Sequence, residues 1–280
     1  MTDANADQRD AWNGESGDRW VATADRRDAV LAPVGQALIE TAAIAPGERV
    51  LDIGCGCGAT TLAAARDAGP TGHVLGVDHS APMLALASQR AETIPTVDLL
   101  QADAQTFHRT ERFDVAVSRF GTMFFDDPSA AFANIARHLT AGGRLCIATW
   151  QPLQANEWLV VPGAALLRYG SLPGEASTGG PGMFAQSEPA VIEEVLRGAG
   201  FGNITTVART VALRLGATTD DAIDHLTDSG PGRAVLESVP AEDHADALAA
   251  VADALRPHHH PNEGVILDAG ILLTTGRTMR

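Results

Sequence analysis

Apolar residues along this chain recur in two rhythms. Short runs centred on Val50, Val74, Val97, Val115 and Leu145 read as strands, while the stretches between them, 60–68, 81–91 and 129–139, carry helical periodicity. Strands that alternate with helices in this way make a parallel sheet with helices on both faces. The Gly142-Gly143 break ahead of residues 144–150 marks the last crossover before the fifth strand. Residues 151–189 form a long insertion punctuated at Pro173-Gly174, Gly179-Gly180 and Pro181-Gly182. A helix over 188–199 ends at Gly200, residues 203–215 and 264–275 are strand-like, and 218–255 between them is helical and acidic. At the front, residues 2–10 are polar and expected to fray, whereas Trp12, Trp20 and the run 27–43 suggest short helices leading to a Pro46-Gly47 turn. No internal repeat is visible. The expected fold is α/β, a doubly wound, mostly parallel sheet of seven strands. It divides into an N-terminal helical lid (1–45), a ligand-binding core (46–150), a pocket-forming insertion (151–187) and the C-terminal part of the sheet (188–280), which carries a helical insertion at 217–257.

The first strand runs into three alternate glycines, reading Val-Leu-Asp-Ile-Gly-Cys-Gly-Cys-Gly over residues 50–58. Glycines this close together remove the Cβ atoms that would keep the backbone from turning sharply or lying against a flat or charged ligand. The helix that follows offers unpaired N–H groups. Gly54, Gly56 and Ala59 also spell G-x-G-x-x-A, so the glycines alone leave a nicotinamide cofactor and another nucleoside equally open. The acids arbitrate. Asp52, Asp78 and Asp103 close three successive strands, and at the carboxyl edge of an open parallel sheet they converge on one crevice. Three carboxylates suit a ligand with a cationic end and several hydroxyls better than one built around a pyrophosphate. The competing reading makes the glycines a tight turn and Asp78 and Asp103 helix N-caps.

Five segments, 50–61 (VLDIGCGCGATT), 75–84 (LGVDHSAPML), 101–107 (QADAQTF), 113–128 (FDVAVSRFGTMFFDDP) and 141–145 (AGGRL), resemble in order the motifs of class I S-adenosylmethionine-dependent methyltransferases of the small-molecule, quinone- and natural-product-methylating type. The resemblance implies a Rossmann-like fold, S-adenosyl-L-methionine as cofactor, S-adenosyl-L-homocysteine as product and no metal. It implies that Gly54, Gly56 and Gly58 face the methionine part of the cofactor with Asp52 near its ammonium. Asp78 would take the ribose hydroxyls, His79 and Met83 would flank the adenine, and Asp103 would accept from its amine beside the backbone N–H of Ala104. Ser118 and Arg119 would border the methyl group. A His beside a cap and a Met at helical spacing also serve as plain packing, and Arg119 as a structural ion pair. Branches directed at nucleic acids and amides carry Asn or Asp, Pro-Pro and an aromatic where this chain has Ser118-Arg119-Phe120-Gly121. An oxygen or carbon acceptor is therefore expected over nitrogen.

Composition narrows the alternatives. The 280 residues, 45% hydrophobic, suffice for one enzyme domain with additions. The formal charge is −15 and all 20 cations are arginine. Without lysine there is no phosphate-loop lysine, no Schiff base and no Tyr-Lys reductase pair, and the acidic surface argues against nucleic-acid partners. Cys55, Cys57 and Cys146 lack the spacing of a zinc site or disulfide framework and read as reduced fillers. No charged-then-apolar leader or membrane-length apolar stretch is visible, so a cytoplasmic protein without membrane insertion, monomeric or homodimeric, is expected.

A sulfonium methyl is already activated, so the enzyme must chiefly align an electron-rich atom with the S–CH₃ bond and exclude water. Should a base be needed, His79, His108, Asp126, His138 and His225 are candidates by type, and His108, just beyond the third-strand motif, stands first; Arg119 is the candidate to steer an acidic acceptor. A small, largely apolar acceptor would be recognised by scarce aromatics: Trp12 and Trp20 on the lid, Phe120 and Phe124 with Met123 and Phe125 after the fourth strand, and Trp158, Tyr169 and Phe184 with Met183 in the insertion. The run His258-His259-His260 reads as a loop between prolines. Two alternatives stay open, a nicotinamide-dependent reductase and a cofactor-binding homologue that does not methylate.

Overall fold

The computed structural model describes residues 5–171 and 180–279. Residues 2–4 of the polar front and the turns expected at Pro173-Gly174 and Gly179 lie outside the described residues. Three helices lead in, α1 (Ala6–Asn13), α2 (Glu15–Ala22) and α3 (Ala24–Ala42). The alternating core follows as β1 (Arg49–Ile53), α4 (Ala59–Ala68), β2 (His73–Asp78), α5 (Ala81–Ala91), β3 (Val97–Gln101), β4 (Phe113–Arg119), α6 (Pro128–His138) and β5 (Leu139–Trp150). Beyond it come α7 (Glu157–Leu166), α8 (Pro189–Gly198), β6 (Phe201–Gly216), α9 (Thr219–Asp228), α10 (Gly230–Leu236), α11 (His244–Leu255), β7 (His259–His260) and β8 (Gly264–Thr278). The sheet order is β3-β2-β1-β4-β5-β8-β6, parallel from β3 through β5 and antiparallel where β8 slots between β5 and β6. The seven expected strands are all present; the eighth, β7, is a two-residue ribbon that turns back on β8.

Alternation along each buried strand separates two cores. Leu51, Ile53, Ala116, Leu145 and Ile147 pack on one face with Phe132 and Ile135 of α6 and Ile192 and Leu196 of α8. Val50, Val115, Val117, Cys146 and Ala148 pack on the other with α3, α4, α7 and α9 to α11. Asp52 shares the second face with Val50, which places a carboxylate at the inner end of an otherwise apolar strand. Among the described residues, no helix is long and apolar enough to cross a membrane.

Four expectations need correction. The segment 6–10 is helix, held at its start by Asn5, whose side chain is 1% exposed and bonded across the fold. Gly142 and Gly143 lie inside β5 as a bulge: Phe113 pairs with Leu139 and Val115 with Arg144, so residues 140–143 loop out of the ladder, with Gly142 at φ +72°. The insertion contains a helix, α7, invisible to periodicity because its exposed Val160 and Ala164 are as apolar as its buried Trp158, Leu159, Ala165 and Leu166, and Pro162 reads as a breaker. Residues 257–261 are likewise a helical turn and the start of a hairpin rather than free loop.

Leu196 is fully buried between α8 and the sheet, and Leu196→Ala should lower unfolding free energy by about 2–5 kcal/mol in urea titration while keeping the slope of the transition.

Candidate functional site

The site begins where β1 ends. Gly54, Gly56 and Gly58 all have left-handed φ, +66°, +53° and +88°, so L side chains are disfavoured at each. Space matters as much as conformation. A Cβ on Gly54 would lie 2.8 Å from Gly121 Cα, and one on Gly121 would lie 2.7 Å from the Ile53 carbonyl oxygen. The loops after β1 and β4 therefore touch backbone to backbone, and Ser118 fastens the same junction by donating to Ile53 O at 2.7 Å. Ser118 is fully buried and its hydroxyl is spent there. It does not line the cavity, a correction to the place expected for it beside the methyl group.

The three acids meet at this edge in different states. Asp52 is fully buried: Oδ2 accepts from Thr61 Oγ1 at 2.6 Å, while Oδ1 has no hydrogen-bond partner. Burial pushes its carboxyl up to about 7, with Asp78 adding to the rise and Thr61 and Arg119 opposing it. The orphaned Oδ1 is chemically suited to a cationic N–H, although Asp52, like Ser118, is fully buried and is not among the residues that line the cavity. Asp78 accepts from Gly56 N at 2.9 Å and Ser80 N at 2.8 Å, tying the glycine loop to β2. Ser80, not Asp78, caps α5, so the capping alternative for Asp78 falls. Asp103 accepts from Gln105 N at 2.8 Å and opens a turn, not a helix. Its two oxygens also take Asn5 Nδ2 at 3.0 and 2.9 Å. Asn5 further donates its backbone N–H to Asp126 Oδ2 and accepts from Asp126 N, each at 2.7 Å. A primary amide thus sits against the acid that the resemblance assigns to an aromatic amine.

A cavity of about 420 Å³ opens over this edge. Of the residues singled out in the sequence, Gly54, Asp78, His79, Met83, Asp103, Ala104 and Arg119 line it on the sheet side. Trp12, Trp20, Phe120, Phe124 and Trp158 line it as an aromatic wall, joined by Met123, Phe125 and Met183. Trp12 meets Trp20 edge-on at 5.7 Å and Phe124 at 5.6 Å, and Phe120 stacks on Trp150 at 4.1 Å. Gly56 and Gly58 stand behind that surface: a Cβ on Gly56 would meet Met83 Cε at 2.8 Å, and Gly58 caps α4. Arg119 is ion-paired, its Nη2 lying 3.1 Å from Asp28 Oδ1.

Other candidates lie elsewhere. Tyr169 lines a separate surface hollow between α7 and α11, and Phe184 packs against the core without reaching the cavity. His108 is exposed, meets the edge of His138 6.2 Å away, and is not among the residues that line the cavity. His138 is structural, its Nδ1 donating to Asn134 O, its Nε2 accepting from Arg109 N and its ring stacked on Phe107. Asp126 serves the Asn5 contact. Of the residues offered as bases, His79 and His225 line the cavity, and His225 does so from the helical side. The cysteines are buried and free; burial pushes the Cys57 and Cys146 thiols up to about 11 and 12 and Cys55 well above its ordinary value, which keeps them protonated fillers. Asn5, Arg27, Trp150 and Leu213 also line the cavity, unsignalled by any spacing in the chain.

Sheet order, glycine loop and acidic edge define an S-adenosylmethionine-dependent methyltransferase. Residues 50–143 match a family model described as a methyltransferase domain. The chain is 30% identical over 197 residues to nocamycin O-methyltransferase of Saccharothrix syringae, covering 65% of this chain and 69% of that protein. It is 35% identical over 116 residues to aklanonic acid methyltransferase of Streptomyces sp. (strain C5), covering 40% of this chain and 53% of that one. The fold superposes on phosphoethanolamine N-methyltransferase 2 of Haemonchus contortus, solved with S-adenosyl-L-methionine, at TM-score 0.57 and 19% identity, over 96% of this chain and 60% of that chain. The chain belongs to the S-adenosylmethionine-dependent methyltransferases of small-molecule type, and S-adenosyl-L-methionine is its cofactor.

Burial keeps Asp52 protonated in the free protein up to about pH 7, so an ammonium seated against it, as the resemblance implies, should release close to one proton when the cofactor binds at pH 6. Calorimetry in buffers of different ionisation enthalpy reads that release; Asp52→Asn should abolish it and weaken binding about tenfold or more. Since the folded pKa lies above that of the unfolded chain, Asp52 also makes the cofactor-free protein lose stability as pH rises from about 4 to about 7, and Asp52→Asn should remove that slope.

Proposed function

We propose that this enzyme moves a methyl group to an oxygen or carbon of a small, largely apolar organic molecule, chiefly by holding acceptor and donor in line in a dry cavity. The carrying observation is that one cavity joins the acidic sheet edge to an aromatic wall, so both reactants would share a compartment. When bound, S-adenosyl-L-methionine supplies a methyl already activated by its sulfonium. In this reading Asp52 neutralises the cofactor's ammonium, the loop Gly54, Gly56 and Gly58 packs along its methionine part, and Asp78 accepts from the ribose hydroxyls. His79 and Met83 flank the base, and Asp103 and Ala104 meet its polar edge, which requires the carboxylate of Asp103 to share its lone pairs with Asn5. Trp12, Trp20, Phe120, Phe124 and Trp158 exclude water and hold the acceptor.

The lid at 1–45 and the insertions at 151–187 and 217–257 are assigned to acceptor recognition, supported by the cavity residues that each contributes. The names of the two curated relatives, an O-methyltransferase and a methyltransferase of an acid, support an oxygen acceptor. Neither bears on which molecule this chain uses.

Incubation with methyl-labelled S-adenosyl-L-methionine and a panel of phenols, carboxylic acids, amines and quinone-like rings should put label on an oxygen or carbon of at least one member and form S-adenosyl-L-homocysteine in equal amount. Tight cofactor binding with no transfer to any class would favour a non-methylating homologue. A rise in melting midpoint with NADPH, and none with S-adenosyl-L-homocysteine, would favour the reductase.

A further inference from the structure

The helical side of the cavity is built from α2, α3 and the α9–α10 junction, where Arg19, Arg27 and Arg233 outnumber Asp228. Four arginines line the cavity, Arg19, Arg27, Arg119 and Arg233. Three are ion-paired: Arg19 with Glu15, Arg119 with Asp28, and Arg233 with Glu237 at 3.5 Å. Arg27 is different. Its Nε donates to Thr23 Oγ1 at 2.7 Å, its Nη2 donates to the backbone oxygen of Asp228 at 2.8 Å, and its guanidinium lies 4.6 Å from the centre of the Trp20 ring. None of those partners is a carboxylate. The nearby Asp228 carboxylate faces Arg26 instead, at 3.4 Å. A guanidinium has five N–H donors, so Arg27 keeps three without a partner among the described residues.

His225 stands beside it. The residue is 6% exposed, lines the same cavity, and its ring makes no hydrogen bond among the described residues. The charged groups that face it are Arg26 and Arg27 from α3 and Asp228 from its own helix, with Arg233 on the adjoining α10. Burial, then Arg27 and Arg26, push its imidazole down to about 4 against the opposing pull of Asp228. At neutral pH it therefore offers one N–H donor and one acceptor and no charge. No carboxylate lies within ion-pair distance of Arg27 among the described residues, and the Asp228 carboxylate beyond it does not offset the cost of burial, so a ligand anion against the apolar cavity would relieve that cost.

We infer that the acceptor of this methyltransferase is an oxygen acid held as its anion, with Arg27 as its counter-ion and His225 as a neutral second hydrogen-bond partner. The inference rests on the methyltransferase reading of the cavity and adds the class of acceptor. The step balances without a base: the acid has already given its proton to solvent, one oxygen lone pair forms the O–CH₃ bond, and the S–CH₃ bond breaks with its pair left on sulfur. An oxyanion and a sulfonium become a neutral ester or ether and a neutral thioether. His225 need take no proton, which agrees with its low basicity.

The test uses 2-naphthoate and its uncharged isostere 2-naphthamide as probes, titrated calorimetrically into the full chain saturated with S-adenosyl-L-homocysteine. The carboxylate should bind about tenfold or more tightly than the amide, the scale of one hydrogen-bonded charge pair. Arg27→Gln should erase that preference while leaving the dissociation constant of S-adenosyl-L-homocysteine unchanged, which also certifies the fold of the variant. His225→Leu should weaken naphthoate several-fold and spare naphthamide. Equal affinity for the two probes in the unaltered protein, or no binding of naphthoate at millimolar concentration, overturns the acceptor assignment and leaves the cofactor reading standing. Failure of S-adenosyl-L-homocysteine itself to bind overturns both.

Discussion

Parallel pairing of β1 with β2 on one side and β4 on the other is the constraint from which the site descends. Asp52 pairs with Gly76 and Val117, and Ile53 with Val77, so all three strands reach their carboxyl ends together. Their turns must then share one small volume. That is why the glycines are sterically required, why Ser118 reaches across to Ile53 O, and why the backbone of Gly56 lands on Asp78. Slipping a strand by one residue would exchange its two faces and move Asp52 from the α4 side into the opposite core. The orphaned oxygen of Asp52 is thus a product of register as much as of sequence.

The edge is closed by segments far apart in the chain. From the front, Asn5 bonds to Asp103 and Asp126; from the back, the backbone oxygen of Asp228 receives Arg27, and Ser229 to Pro231 complete the wall. Both closures combine these polar contacts with apolar packing: Trp12, Trp20 and Val21 pack with Ala24, Cys57 and Met83 at the front, and α9 to α11 join the core beside α3 and α7 at the back. Directional bonds of this kind can be exchanged for water at modest net cost, whereas the sheet beneath them cannot open without exposing Leu51, Val115 and Leu145.

The same division explains what could be read in advance. Strand positions, the glycine loop and the three acids are local signals: a short apolar run, an acid at its end, a residue without Cβ. Helix α7 was hidden because its outward positions, Val160 and Ala164, are as apolar as its buried ones and leave no polar face to mark its period, and the Gly142-Gly143 bulge because two glycines look like a crossover. The start of α1 was hidden because Asn5 is ordered by residues 98 and 121 positions away. His225 was one name among five until folding set it beside Arg27, some 200 residues distant in sequence, and His108 lost its place because nearness to a motif does not fix the direction of a loop. Ser118 shows the same limit, since its neighbours in sequence gave no hint that its hydroxyl would be consumed by Ile53.

Carboxylates predominate on the sheet side of the cavity, Asp78 and Asp103 against Arg119, and arginines on the helical side, Arg19, Arg27 and Arg233 against Asp228, which gives it an internal polarity. Such a polarity favours a cation and an anion laid along it and is indifferent to two neutral molecules in the same place. In a reaction that annihilates both charges it would therefore draw reactants in and let go of what they become, adding nothing to the bond-making itself. Speed in such an enzyme would be governed by alignment, and vacancy by discharge.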